Sequence, residues 1–61
     1  MQYRHAKLLR HGDVVIKIDD GSELFIDTIE IYGQVKKIRL NCIDRKTFKN
    51  VVVYHEDVKF E

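Results

Sequence analysis

The chain has 61 residues, 44% hydrophobic and 34% charged, with a net charge of +1. That length holds one domain, residues 1–61, and buries only ~60% of its unfolded surface, so oligomerisation is a common remedy for its marginal stability. The composition excludes a disordered chain, no apolar run approaches the ~20 residues of a membrane span, and the polar, basic stretch from Met1 to Arg10 predicts an unexported, cytoplasmic protein.

Taken in order, the segments read as nearly all β. Ala6 to Leu9 is a candidate short opening strand. Val14, Ile16 and Ile18 alternate with Val15 and Lys17, the pattern of a half-buried strand. Asp19-Asp20-Gly21-Ser22 follows, and Asp-Gly is a strong hairpin signal. In the long run from Glu23 to Tyr32, Leu24 and Ile26 share one parity while Ile29 and Ile31 share the other. An unbroken strand cannot turn both pairs to one face, so a bulge or sharp bend near Asp27-Thr28 is expected.

Tyr32-Gly33-Gln34 is the second turn. Beyond it Ile38, Leu40 and Cys42 face inward, with Lys37, Arg39 and Asn41 outward. Arg45 to Asn50 is a polar, basic loop carrying Phe48. In the closing run Val52, Tyr54, Val58 and Phe60 share a parity, interrupted by Glu56. The fold class is therefore all-β: four or five antiparallel strands forming a small barrel or a strongly bent sheet.

Charge is sorted along the chain. Arg4, Lys7 and Arg10 stand without an acid in the first twelve residues. Residues 13–30 hold Asp13, Asp19, Asp20, Glu23, Asp27 and Glu30 against Lys17; residues 31–50 hold Lys36, Lys37, Arg39, Arg45, Lys46 and Lys49 against Asp44. The segment balances are thus +3, −5, +5 and, for the last eleven residues, −2. A polyanion responds to the local field rather than to the sum. Acidic and basic strands laid side by side, however, complement one another across the sheet.

Enzyme chemistry finds no support. His5, His11 and His55 have no metal-ligand spacing with Cys42 or an acid, and no Gly-rich phosphate loop exists. The single Cys42 excludes an internal disulfide, fits a reducing compartment and reads as a small core hydrophobe. Asp19-Asp20 is explained by its turn. No catalytic residue, metal or cofactor is expected.

The basic strand and loop are the candidate site. Lys37 and Arg39 leave one face of a strand, and Lys36, Arg45, Lys46 and Lys49 flank it, a stripe suited to tracking a phosphate backbone. Tyr32, Phe48 and Tyr54 are candidate stacking platforms for unpaired bases; Phe48 alternatively folds back as a lid on the core.

In this order the segments resemble the carbon storage regulator family of small RNA-binding repressors. Leu8-Leu9-Arg10 and Gly12-Asp13 stand where that pattern has an arginine-ended strand and a Gly-Glu-led one. Asp19-Asp20-Gly21 is similar to its Gly-Asp-Asp turn, and Ile29-Glu30-Ile31-Tyr32-Gly33 to its glycine-ended strand. Ile38-Arg39-Leu40-Asn41 and Val53-Tyr54-His55-Glu56-Asp57 are similar to its last two signatures. The likeness spans residues 8–58 with small gaps, and the family's RNA-contacting arginine falls on His55. The resemblance implies an intertwined homodimer whose RNA site joins Arg4, Lys7 and Arg10 of one subunit to His55 of the other. Sm-like and other SH3-like barrels compete: Val15 to Leu24 resembles a first Sm segment, and Val53 to Phe60 an SH3-type closing strand.

Two functions are expected from this reading. The first is a non-enzymatic regulator binding RNA or another single strand, through Arg10, Lys36, Lys37, Arg39, Arg45, Lys46, Lys49, Tyr54 and His55. The second is a protein-interaction adaptor or small inhibitor that docks through its segregated acidic and basic faces. Either is compatible with a homodimer.

Overall fold

The computed structural model describes all of residues 1–61. Helix α1 (Tyr3–Ala6) precedes strands β1 (Val14–Lys17), β2 (Glu23–Tyr32), β3 (Lys37–Asp44) and β4 (Asn50–Tyr54). A 3₁₀ turn at His55–Asp57 then leads into β5 (Val58–Phe60). The strands form one antiparallel sheet in the order β4-β3-β2-β1-β5. The sheet bends without closing: β4 and β5 are its two free edges.

The opening segment is helical rather than extended. Tyr3, Ala6 and Leu9 recur every third residue and form the inner row of a short helix whose end tightens into 3₁₀ turns. Lys7 N donates to Tyr3 O at 3.1 Å, then Leu8 N to His5 O at 3.0 Å and Leu9 N to Ala6 O at 3.1 Å. Ala6 and Leu9 are buried and Tyr3 is half-buried. That apolar row is what holds so short a helix, since isolated turns are unstable in water.

Phase within the strands is set by pairing. In β1 the buried residue is Val15, not Val14, Ile16 or Ile18, and Ile18 is 57% exposed. Val15 stands opposite Leu24, a core residue, so it shares the core face, whereas Val14 stands opposite Phe25 on the other face. The expected bulge in β2 is present. Pairing with β3 slips between Ile26 and Thr28, leaving Asp27 as the extra residue. Leu24 and Ile26 before the slip, and Ile29 and Ile31 after it, consequently share the face of Ile38, Leu40 and Cys42.

The tail also departs from simple alternation. In β4 the inward residues are Val53, buried and paired to Leu40, and half-buried Val51, paired to Cys42, while Val52 and Tyr54 face outward. The 3₁₀ turn resets the phase, so that Val58 and Phe60 both take the face of Val15; Val58 is buried there, while Phe60, at the end of the edge strand, stays exposed. The core is Val15, Leu24, Ile26, Ile38, Leu40, Cys42, Val53 and Val58, capped by Ala6 and Leu9. No helix is long and apolar enough to cross a membrane.

Candidate binding face

The strands turn one face to the core and helix α1, and the other outward. Across β2, β3 and β4 the outer face carries successive rows: Tyr32 beside Lys37; Glu30, Arg39 and Tyr54; Thr28, Asn41 and Val52; then Phe25 beside Ile43. Acidic β2 and basic β3 are adjacent, so most of the β3 charge is answered locally.

Lys37 Nζ lies 2.6 Å from Glu56 Oε1 and 5.2 Å from the centre of the Tyr54 ring. The hydrogen bond and charge of each partner shift the other: the Lys37 ammonium is pushed up and the Glu56 carboxyl held down. Glu30 accepts from the Tyr32 hydroxyl at 2.6 Å and from Asn41 Nδ2 at 2.9 Å. Those two bonds, with the nearby Arg39 charge, hold its carboxyl below the usual carboxylate range. Arg39 stands directly opposite Glu30, and its Nε is buried without a hydrogen-bond partner. Arg45 Nη1 sits 3.1 Å from Glu23 Oε1 and 3.8 Å from Glu61 Oε2.

The remaining cations do not converge. Arg10, Lys36, Lys46 and Lys49 have no carboxylate within 4.0 Å, and neither has Arg39, although it stands opposite Glu30 in the strand pairing. Arg10 lies in the link before β1, and Lys36 on the β2–β3 turn with φ 52°. Lys46 and Lys49 lie on the β3–β4 turn. The eight residues of β3, roughly 23 Å of strand at ~3.3 Å per residue, separate Lys36 at one end from Lys46 and Lys49 at the other. The expected stripe is therefore broken: Lys37 and Arg45 are ion-paired, Arg39 is half-buried opposite Glu30, and the remaining cations are isolated at the two ends.

His55 is removed from the outer surface altogether. It is 6% exposed, its Nδ1 accepts from the Ile38 backbone N–H at 3.3 Å, and its ring meets Tyr3 edge-on at 5.9 Å. The 3₁₀ turn points it inward, where it satisfies a buried donor. Tyr54 remains half-open beside Lys37.

Two further features stand out, the first of which the charge pattern did not reveal. The first is the corner at the Phe25–Ile43 end of the outer face. Phe48 is 79% exposed and holds φ 60°, the left-handed region that costs an L-residue about 1–2 kcal/mol. The loop is tightly fastened: Asp44 Oδ1 accepts from Lys46 N at 2.7 Å and Thr47 N at 3.1 Å. Phe48 N donates to Asp44 O at 2.8 Å. Phe48 is thus no lid over the core. With Phe25, Ile43 and Arg45 it lines an open groove of about 360 Å³. The signal that places Phe25 off the core is its parity, opposite to that of Leu24 and Ile26; the groove itself arises only when β2, β3 and the loop are brought together.

The second feature is the helical start. Arg4, Lys7 and Arg10 follow the buried row Tyr3, Ala6 and Leu9 one residue behind, so the same three-residue spacing turns them outward. None has a carboxylate partner within 4.0 Å, and Lys7 Nζ rests 5.6 Å from the Tyr3 ring.

Comparisons with protein-family models, with curated proteins and with solved structures find no match to this chain.

Proposed function

We propose that this chain is a non-enzymatic protein-interaction module, an adaptor or small inhibitor, acting in the cytoplasm through the Phe25–Ile43–Phe48 corner. One observation carries the reading: a rigidly held, strained aromatic is offered to solvent where it contributes almost nothing to the core. The partner's chemistry follows from the lining. An apolar side chain fills the groove, with a carboxylate nearby for Lys46 and Lys49, the cations left unpaired on the same loop. The 3₁₀ turn before a short closing strand beside β1 supports the SH3-like or Sm-like alternative for the fold.

A second reading, binding of RNA or another single strand, is favoured by one observation: the row Arg4, Lys7 and Arg10 has no acidic partner. Phosphates would then meet the helical start rather than the paired strand, with steep salt dependence.

One pair of experiments separates the two. A benzophenone amino acid placed at position 48 in cells should give an adduct that protease destroys and nuclease does not, absent when the probe stands at Gln34. Phe48→Asp should abolish partner capture in the folded protein. Fluorescence anisotropy with labelled random single-stranded RNA at low salt should show no binding under the first reading. Tight, salt-sensitive binding that Arg4→Glu with Lys7→Glu removes, together with no adduct specific to position 48, would replace the first reading by the second.

A further inference from the structure

The two sheet edges are guarded very differently. β5 has three residues with exposed Lys59 at its centre, and its Val58 carbonyl accepts from the Met1 nitrogen at 2.8 Å. Charge, brevity and a covering segment are the usual protections of an edge. β4 has none of them. Its five residues, Asn50-Val51-Val52-Val53-Tyr54, contain no charge, proline or bulge.

The register shows which groups this edge presents. Asp44 N donates to Lys49 O at 2.9 Å, which makes Asp44 and Lys49 a hydrogen-bonded pair. Antiparallel pairing alternates, so Val51 and Val53 direct their backbone groups to β3, while Asn50, Val52 and Tyr54 direct theirs outward. Tyr54 N–H is taken by Asp57 Oδ2, at a long 3.3 Å. The Tyr54 C=O accepts the first bond of the 3₁₀ turn that this residue caps. The N–H and C=O of Asn50 and Val52 therefore remain open along this edge, and the Val52 side chain is 48% exposed.

We infer that a second copy of this chain docks along β4, antiparallel, about a two-fold axis at Val52. Three observations select this occupant. An axis at Val52 pairs its free N–H and C=O with those of the partner copy's Val52, so each copy donates to and accepts from the other, and it sets the open groups of Asn50 opposite the partner copy's Tyr54. The charges at the strand's two ends are opposite: antiparallel docking carries unpaired Lys49 of one copy toward Glu56 and Asp57 of the other, whereas a parallel docking would set Lys49 against Lys49. The guarded β5 edge blocks head-to-tail addition, so the contact closes on itself as an isologous dimer. On docking, Tyr54 N–H exchanges Asp57 for the partner copy's Asn50 carbonyl, freeing that carboxylate for Lys49. The dimer leaves the Phe25–Ile43–Phe48 groove to a separate occupant, so this inference and the proposed function can fail independently.

Sedimentation velocity over a wide concentration range tests it. The wild-type chain should pass from monomer to dimer. Val52→Pro removes an outward N–H that β3 does not use, and Val52→Lys sets like charges across the axis. Each should weaken the dimer by roughly tenfold or more while circular dichroism and melting show a folded chain. Val52→Lys keeps the test valid should the proline variant unfold. A wild-type chain monomeric at every concentration, or a dimer that a folded Val52→Lys or Val52→Pro variant leaves intact, overturns the inference.

Discussion

Replacing Phe48 with asparagine should barely change stability, although it deletes the ring of a large aromatic. Phe48 is 79% exposed. About one-fifth of a side chain that buries ~200 Å² when fully covered amounts to ~40 Å², or ~1 kcal/mol at ~25 cal/mol per Å². Against that loss stands the strain at φ 60°, about 1–2 kcal/mol for an ordinary L-residue, much of which asparagine escapes because its short side chain tolerates the left-handed region. The two effects nearly cancel. The variant should lie within about 1 kcal/mol of wild type, a melting-temperature change of no more than ~8 °C for a domain of this size. Thermal and urea unfolding with an unchanged m-value would establish this. A core phenylalanine cut back to alanine costs about 3–5 kcal/mol, so a loss above ~2 kcal/mol would show that Phe48 is a working part of the core. That result would remove the ground for assigning it to a partner.

Three further outcomes follow from the geometry. His55→Leu should destabilise by about 1–3 kcal/mol, because the buried Ile38 N–H loses its acceptor; an unchanged urea midpoint would contradict that role. Burial, with Asp27 nearby, pushes the Cys42 thiol up to about 11, so a thiol reagent at neutral pH should modify it only through opening of the fold. Reaction of the native chain at the rate of a free thiol would refute this. The depressed Glu30 and Glu56 carboxyls contribute stability above the ordinary carboxylate range and lose it as pH falls through their folded values; the raised Lys37 contributes fully below the ordinary lysine range and loses its share as pH climbs through its folded value. Stability should therefore fall at both extremes, weakly and with salt screening because these groups are exposed. An acid limb identical in wild type and in Glu30→Gln with Glu56→Gln would show that the carboxylates are not coupled to folding.

Much of the architecture was written in local pattern. Ile38, Leu40 and Cys42 alternate cleanly and are buried together. The change of phase between Ile26 and Ile29 demanded a bulge, and Asp27 supplies it, because side-chain direction in a strand has a strict period of two. Asp19-Asp20-Gly21 makes its turn, with Gly21 at φ 77° and Ser22 N bonded to Asp20. These features depend on neighbours along the chain, and so they can be read there.

Other features depend on neighbours across space. Val14 to Ile18 offers apolar residues to both faces, and only the pairing of Val15 with Leu24 decides which face is the core. The segment from Tyr3 to Leu9 is too short to be helical unaided; packing of Tyr3, Ala6 and Leu9 makes it so. Above all, a one-dimensional charge count cannot distinguish a free cation from a neutralised one. The sequence by itself determined that acids and bases lie in separate segments. The tertiary structure decided that β2 and β3 lie side by side, setting Glu30 opposite Arg39, and that the 3₁₀ turn brings Glu56 onto Lys37. It thereby spent the strand's charge within the molecule and left the Phe48 corner, the helical start and the β4 edge open, because electrostatic and apolar contacts act through distance and solvent exposure, not through position in the chain.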